Sequence, residues 1–254
     1  MTDSYLPKSP LVTVVTPLYN SESFVADAVR SVMAQTFDDW EMIIVDDASS
    51  DKSAARVATF LEQDDRLKLV RSVQNEGSSA ARNKAIRRAR GRFIAFLDAD
   101  DYWAPRKLES QLAFMQSNSY AFSYTYYEII NEVGESTGKQ IMPPERVSYS
   151  DMLKSNRIGC LTAMYDTSRF GKRYMPAIRK RQDYGLWLEL LRTEHYARCL
   201  PEVLGYYRVR AGSISSNKIE IIKYNWKLFR EVEKFSRIKS GYHVGWNIIN
   251  KLLI

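Results

Sequence analysis

The chain has 254 residues, of which 45% are apolar, and its formal net charge is +7. This length and apolar content suffice for one large α/β domain with a C-terminal extension or for two small domains, and we find no internal repeat or low-complexity tract. The positive charge indicates an anionic partner, which can be nucleic acid, an anionic membrane surface or a phosphorylated substrate.

The two cysteines, Cys160 and Cys199, lie far apart and lack both Cys-x-x-Cys spacing and a histidine-rich neighbourhood. This pattern argues against a disulfide framework and a zinc site, so we interpret both as buried small apolar residues. Residues 1–10 lack the apolar core of a signal peptide, and no run approaches the ~20 apolar residues of a membrane-spanning helix. We therefore expect a reducing, cytoplasmic setting.

The first hundred residues alternate between strand-like and helix-like segments. Predicted strands, rich in β-branched and apolar residues, cover residues 11–16, 40–45, 67–70 and 93–97. Predicted helices between them cover residues 25–33, 54–61 and about 79–90. We expect Pro17 to stop the first strand. The β-α-β-α-β-α-β order predicts a doubly wound, mostly parallel sheet with right-handed crossovers.

The fourth predicted strand is the segment around which the site is expected to form. Residues 93–97 are apolar without alternation, which is typical of a strand buried on both faces, and Asp98, Asp100 and Asp101 follow directly. Ligands bind at the carboxyl edge of such sheets, and carboxylates one residue apart can share a hard cation that bridges phosphate oxygens. The alternative is a solvated acidic loop before a helix.

Two further strand ends carry polar residues to the same edge. Residues 17–20 follow the first strand, and Asp46 and Asp47 follow the second. No dinucleotide fingerprint or P-loop follows the first strand, so a bound diphosphate would need neutralisation by side chains and a metal. We expect Asp100 to bind the metal and Arg82 to bind the nucleotide diphosphate. The alternative for Arg82 is that it is a solvated residue of a basic run.

Beyond Asp101 the sequence predicts a helix over 107–116, an aromatic strand over 120–127 and a hairpin within 129–142. Asp183 heads an apolar-periodic helix. By itself that position favours a carboxylate that complements the helix dipole.

The C-terminal region interleaves apolar and basic residues from residue 217, which predicts a basic amphipathic helix, and a second apolar-rich segment covers 242–254. Both can lie on an anionic bilayer. Packing on the preceding domain or in a homodimer is the alternative, and it is favoured for the first helix. His195 and His243 lack ligand spacing, and we interpret both as structural or surface residues.

The motifs together resemble an inverting family 2 glycosyltransferase with the GT-A fold, of the type that builds bacterial surface polysaccharide and O-antigen. They appear in the family's order between residues 11 and 218, and the ordered set is far more specific than any one motif. The segments are Thr16-Pro17-Leu18-Tyr19-Asn20, Gln35-Thr36-Phe37, Val45-Asp46-Asp47-Ala48-Ser49-Ser50-Asp51, Ala81-Arg82-Asn83, Phe96-Leu97-Asp98-Ala99-Asp100-Asp101 and Arg181-Gln182-Asp183-Tyr184-Gly185-Leu186-Trp187.

The resemblance implies a single Rossmann-like catalytic domain over residues 1–216, with a mixed, mostly parallel sheet, and a helical extension over 217–254. Residues 11–101 would form the nucleotide-sugar half and residues 102–216 the acceptor half. The implied ligands are a nucleoside-diphosphate sugar, typically a UDP-hexose, a divalent metal (Mn or Mg) and a saccharide acceptor that can be lipid-linked. Nucleic acid is not an implied partner. An anionic membrane surface and a second copy of the chain remain candidate partners, with a location in the cytoplasm or at the inner face of the plasma membrane.

The resemblance also implies residue roles. Pro17 and Tyr19 would flank the base, Asp47 would bind uracil, Asp98 would bind the ribose or donor sugar, Asp100 would bind the metal, and Asp183 would be the catalytic base. Inverting displacement at an anomeric carbon needs such a carboxylate opposite the leaving diphosphate, where it takes the proton of the acceptor hydroxyl. The aromatic residues of the acceptor half suit either the core or the apolar face of a sugar ring.

Arg210 departs from the family pattern. Segment 205–215 resembles the one that closes over the diphosphate, and many relatives carry a histidine where this chain has Arg210. An arginine stays protonated and cannot bind a metal, so we expect Arg210 to contact the diphosphate, which leaves the third metal ligand open.

Two other classes stay open: a sugar nucleotidyltransferase, and a non-catalytic nucleotide- or carbohydrate-binding module that would not need Asp183.

Overall fold

The computed structural model describes residues 9–210 and 218–252. Its first part alternates strands and helices as predicted. The elements are β1 (Val12–Leu18), α1 (Val25–Met33), β2 (Trp40–Asp46), α2 (Ser53–Leu61), β3 (Leu67–Arg71), α3 (Ser78–Arg88) and β4 (Phe93–Phe96). These strands are parallel and lie in the order β3-β2-β1-β4, so β1 and β4 are central and their carboxyl ends meet at one edge.

Pro17 does not stop the first strand, contrary to the prediction. The carbonyl of Leu18 accepts a hydrogen bond from the backbone N–H of Asp47 at 2.8 Å, so the backbone groups of Leu18 point toward β2. Those of Pro17, one residue earlier, point to the other side, toward β4. The pairing of β1 with β4 ends at Val15. A proline is tolerated here because no partner strand requires its missing N–H.

The second part extends the sheet with mixed pairing. Its elements are β5 (Tyr102–Trp103), α4 (Lys107–Ser117), β6 (Phe122–Ile130), β7 (Ser136–Ile141), β8 (Arg146–Val147), α5 (Tyr149–Lys154), β9 (Met164–Asp166), α6 (Thr167–Phe170), α7 (Gln182–Leu191) and β10 (Ala197–Arg208). The predicted hairpin is confirmed as antiparallel β6 and β7. Strand β9 lies between β4 and β6 and is antiparallel to both, which links the two parts into one sheet.

Helices cover both faces of the sheet. One apolar cluster packs α1, α2 and α4 on one face, and the other packs α3, α5 and α7 on the opposite face. Trp187 of α7 lies against Phe96 of β4 and Phe122 of β6, with ring centroids 5.4 and 5.3 Å away. This packing brings α7, which carries Asp183, over the central strand.

The C-terminal region continues with α8 (Lys218–Lys227), a π-helical turn (Leu228–Val232) and α9 (Arg237–Leu252). Phe229 is fully buried and packs against Tyr184 of α7, while the buried Glu233 carboxylate pairs with Arg192 at 2.7 Å. The end of the first predicted helix thus packs on the domain, which was the favoured alternative. His243 packs against Phe229 and is structural, as predicted. Among the described residues, no helix is both long and apolar enough to cross a bilayer.

Candidate active site

The loops that follow β1 and β2 are bonded to each other at the carboxyl edge. The backbone N–H of Asn20 donates to Ser49 Oγ at 3.1 Å, and that of Ser50 donates to Asn20 Oδ1 at 2.9 Å. Pro17 is half-buried beside them, and the Tyr19 side chain is 48% exposed. An exposed ring at this edge is accessible to a ligand.

Asp47 is buried at the end of β2 and binds the chain that enters α3. Its carboxylate accepts hydrogen bonds from the backbone N–H groups of Glu76 and Gly77, the latter at 2.6 Å. Gly77 has φ +90°, a conformation that L side chains rarely adopt. Because a carboxylate offers about four acceptor sites, one oxygen can still accept a hydrogen bond from a ligand.

Arg82 and Asp98 form an ion pair between α3 and the end of β4. Arg82 is only 5% exposed, and its Nη2 donates to Asp98 Oδ1. The alternative that Arg82 is a solvated residue of a basic run is therefore wrong. The pair fixes the Asp98 carboxylate, whose side chain is still 28% exposed and accessible to a ligand.

Asp100 pairs with Arg210 across the same edge. Arg210 Nε lies 3.1 Å from Asp100 Oδ2, so the predicted metal ligand and the predicted diphosphate ligand meet directly. Residues 211–215, the remainder of the segment predicted to close over the diphosphate, lie outside the described residues.

Arg208 holds the acidic loop in place, a role that the sequence did not reveal. It is buried at the end of β10, its backbone N–H donates to Asp101 Oδ1 at 2.9 Å, and its Nε donates to the carbonyl of Asp100 at 2.8 Å. Its Nη1 and Nη2 donate to the carbonyl of Glu132 and to Asp27 Oδ2, at 2.8 and 2.9 Å. One guanidinium therefore joins the acidic loop to α1 and to the β6–β7 hairpin.

Burial and mutual repulsion disfavour the ionised form of the carboxyl groups in the acidic loop. Burial raises the pKa of Asp100, and the charge of Asp98 adds to this while Arg210 opposes it. Burial also raises the pKa of Asp101 well above its ordinary value, with Asp100 and Asp98 adding to the effect. A raised carboxyl pKa in the folded state means that ionisation near neutral pH costs free energy of folding, which a bound cation would offset.

The loop fits a divalent cation that also binds the ligand's phosphates. Within the described residues, no group of three or more His, Cys, Asp or Glu side chains could hold a metal by itself. Mg²⁺ and Mn²⁺ prefer oxygen ligands, and Mg²⁺ is commonly held by one or two carboxylates plus substrate phosphates. Asp100, with Asp98 beside it, would be the protein's contribution to such a site.

Asp183 lies in the first turn of α7, where it is half-buried. Gln182 Nε2 donates to Ser78 Oγ at 2.6 Å, which ties the start of α7 to the start of α3. Asn156 Nδ2 donates to Asp183 Oδ2 at 3.4 Å from the loop after α5. The start of α7 is thus held by contacts with two other segments, one of them made by Asp183 itself.

Cys160 lies where several of these charged groups act on its thiol. Burial raises the pKa of its thiol well above the ordinary value, and the charges of Arg82, Asp98 and Asp183 all act on it. Asp183 and the Arg82–Asp98 pair therefore share one electrostatic neighbourhood. Cys160 is half-buried rather than buried as predicted, and it packs against the apolar cluster on the α7 side of the sheet, whereas Cys199 is buried as predicted.

Comparison with known proteins identifies the family. The model of the family described as "Glycosyl transferase family 2" matches residues 13–177. The putative teichuronic acid biosynthesis glycosyltransferase TuaG of Bacillus subtilis is 44% identical over 233 residues, which is 92% of each chain. The Escherichia coli protein WfgD, a UDP-Glc:alpha-D-GlcNAc-diphosphoundecaprenol beta-1,3-glucosyltransferase, is 38% identical over 217 residues, or 85% of this chain and 84% of WfgD.

Solved structures agree on the fold. S. aureus TarS 1-349 in complex with UDP-GlcNAc superposes with a TM-score of 0.70 at 21% identity, covering 92% of this chain and 70% of that one. The mannosyltransferase PcManGT from Pyrobaculum calidifontis, in complex with GDP-Man and Mn²⁺, superposes with a TM-score of 0.65 at 17% identity, covering 94% and 69%. The predicted GT-A architecture is therefore confirmed, and the chain belongs to glycosyl transferase family 2.

Proposed function

We propose that this glycosyltransferase moves a hexose from a UDP-sugar to a hydroxyl of a lipid-linked saccharide, with inversion, during synthesis of a surface polysaccharide. The observation that supports this most directly is the hydrogen bond from Gln182 to Ser78, which joins the start of α7, next to Asp183, to α3, the helix that carries Arg82 and its partner Asp98. The names of TuaG and WfgD support the polysaccharide pathway, the donor and the polyprenyl-linked acceptor.

In this proposal residues 11–101 bind the nucleotide sugar. Tyr19 stacks on the base and Asp47 accepts a hydrogen bond from it, while Asp98 binds the ribose or sugar. Asp100 would hold Mn²⁺ or Mg²⁺, and that ion would supply stabilisation for the negative charge of the leaving diphosphate. Asp183 takes the acceptor's proton from the opposite side, and the acceptor is bound by residues 102–216.

A donor screen tests the first half of the proposal. Thermal-shift measurements with UDP-, GDP-, TDP- and CMP-sugars, each with Mn²⁺ or Mg²⁺, should show stabilisation that is largest for a UDP-hexose, because only the bound native state gains binding free energy. A larger shift with another nucleotide would overturn the UDP assignment. Transfer to a polyprenyl-diphosphate saccharide, with NMR of the product anomer, tests acceptor and inversion together.

Arg210→Ala should raise the KM for the donor about tenfold or more, since a hydrogen bond to a charged group contributes about 1.5–3 kcal/mol. Donor titrations at saturating acceptor measure this effect. Manganese binding without donor should strengthen in the same variant, because Arg210 no longer neutralises Asp100. Arg169→Ala, which removes a 68% exposed guanidinium on α6, is the control. An unchanged donor KM would refute the predicted contact with diphosphate.

Asn156→Ala should lower kcat about tenfold and leave the donor KM unchanged, because it removes a hydrogen bond that orients the Asp183 carboxylate. Asn156 is a positioning residue, so its effect should vanish in an Asp183→Asn background, where there is no base to orient. Asn118→Ala, which removes a side-chain bond at the end of α4, is the matched control. Additive losses in the double variant would contradict this role.

A further inference from the structure

Helix α9 presents its apolar side outward. Large apolar side chains along one face are exposed, at 88% for Ile238, 60% for Tyr242, 36% for Trp246 and 47% for Ile249. Their spacing of four, four and three residues places them on a single stripe of the helix. We call these four residues the outer stripe.

The opposite face of α9 carries three polar residues and Val244, and it packs on the domain. Ser240 is fully buried, and His243 and Asn247 are each only 9% exposed. Asn247 Nδ2 donates to the carbonyl of Leu153 at 3.0 Å, and the His243 ring lies 5.4 Å from that of Phe229. The helix is therefore fixed with its larger apolar side chains outward, whereas an ordinary surface helix turns them inward. A contiguous exposed apolar face of this kind marks an interaction surface.

The charge around the outer stripe identifies the partner's chemistry. Residues 218–252 contain eight Lys or Arg and three Asp or Glu, a net +5 of the chain's +7. The α9 sequence itself contains Arg237, Lys239 and Lys251 and no acidic residue. Basic residues beside aromatic and aliphatic ones are the composition of helices that lie in the interface of an anionic bilayer.

A second copy of the chain fits this surface less well. Because α9 contains cations and no acidic residue, two α9 helices packed through their outer stripes would gain no ion pair from each other, which gives the contact no electrostatic complementarity. Anionic lipid headgroups supply the complementary charge.

We propose that the outer stripe, together with the cations of residues 218–252, seats the enzyme on an anionic membrane surface. Membrane binding would bring the enzyme to a lipid-linked acceptor, and only this benefit rests on the proposed function. The membrane binding itself does not depend on that function. Asn250 of α9 donates to the carbonyl of Lys154 at 3.3 Å, and Asn156, which contacts Asp183, is two residues further on. The membrane-facing helix therefore packs against the segment that holds the catalytic base.

Vesicle flotation of the full chain tests the proposal. The parent protein should float with phosphatidylglycerol-containing vesicles, float less with pure phosphatidylcholine, and lose binding as salt screens the cations. Replacing two stripe residues, Ile238→Ser with Ile249→Ser, should weaken partitioning at least about tenfold because apolar area inserted in the interface is lost. The matched control is Val73→Ser with Val133→Ser, two exposed valines elsewhere. Thermal melts confirm that each variant folds.

Three outcomes would overturn the proposal. The first two are a parent protein that does not float and a stripe variant that floats as well as the parent. The third is a parent protein that binds no vesicles and is a dimer in light scattering, while the stripe variant is a monomer. Transfer to a detergent-soluble acceptor separates this test from that of the proposed function. The stripe variant should keep the parent rate there, because none of its substitutions lies at the site. A stripe variant that loses this activity as well would also count against a purely membrane-binding role.

Discussion

Asp183→Asn should reduce kcat by about 10²–10⁴-fold, the usual contribution of a general base, while binding of the UDP-sugar stays nearly unchanged. The substitution keeps the size and the hydrogen-bonding position of the side chain but removes its capacity to take a proton. The α7 start remains anchored by the Gln182–Ser78 bond, so the fold should not change. Steady-state transfer rates and donor titration by calorimetry measure the two effects separately.

Glu189→Gln is the matched control for this prediction, because it makes the same carboxylate-to-amide change on α7. Glu189 pairs with Arg173 at 3.3 Å and lies in the last part of the helix. Its variant should transfer sugar at the parent rate. Parent-like turnover by Asp183→Asn would instead show that another group takes the acceptor's proton.

Asp100→Ala should weaken metal-dependent donor binding and lower kcat/KM by about 100-fold, because a metal that neutralises phosphate oxygens supplies several kcal/mol of charge stabilisation. The loop should keep its conformation, since Arg208 holds it through the carbonyl of residue 100 and the carboxylate of Asp101. Isothermal titration of UDP with and without Mn²⁺ measures the loss. The affinity for UDP without metal should change much less.

Asp65→Ala, which removes an exposed carboxylate between α2 and β3, is the control for general charge effects. An Asp100→Ala variant whose UDP affinity still increases with Mn²⁺ as much as the parent's would exclude Asp100 as the metal ligand. Asp98 would then be the next candidate for the metal ligand, because it follows the same strand and its side chain is accessible.

Local patterns were sufficient to predict the nucleotide-binding part of the fold. Alternating buried strands and helices over the first hundred residues leave few arrangements for their connections, so the parallel order and the common carboxyl edge follow. Strand β9 was missed because three residues, Met164–Asp166, offer no periodic signal. Its place between β4 and β6 depends on partners distant in sequence.

The site likewise combines features that follow from neighbours in sequence with contacts that depend on residues distant in sequence. The acids after β4 and the helical position of Asp183 were evident from their neighbours in sequence. The partners of these groups were not, because Arg208 reaches Asp101 across 107 residues and Asn156 reaches Asp183 across 27. No local propensity records such long-range hydrogen bonds. The sequence likewise leaves Arg82 equally suited to solvent or to a bound ligand, and its burial against Asp98 depends on the tertiary structure.

The amino-acid sequence alone determined the family resemblance, the alternating architecture and the identity of the acids at the sheet edge, because each depends on residues close together along the chain. Only the tertiary structure decided which cation neutralises which acid and which side of α9 faces outward. Those features depend on how distant segments pack. A helix with apolar residues on one side and small polar residues on the other does not reveal from its sequence which side the domain will bury.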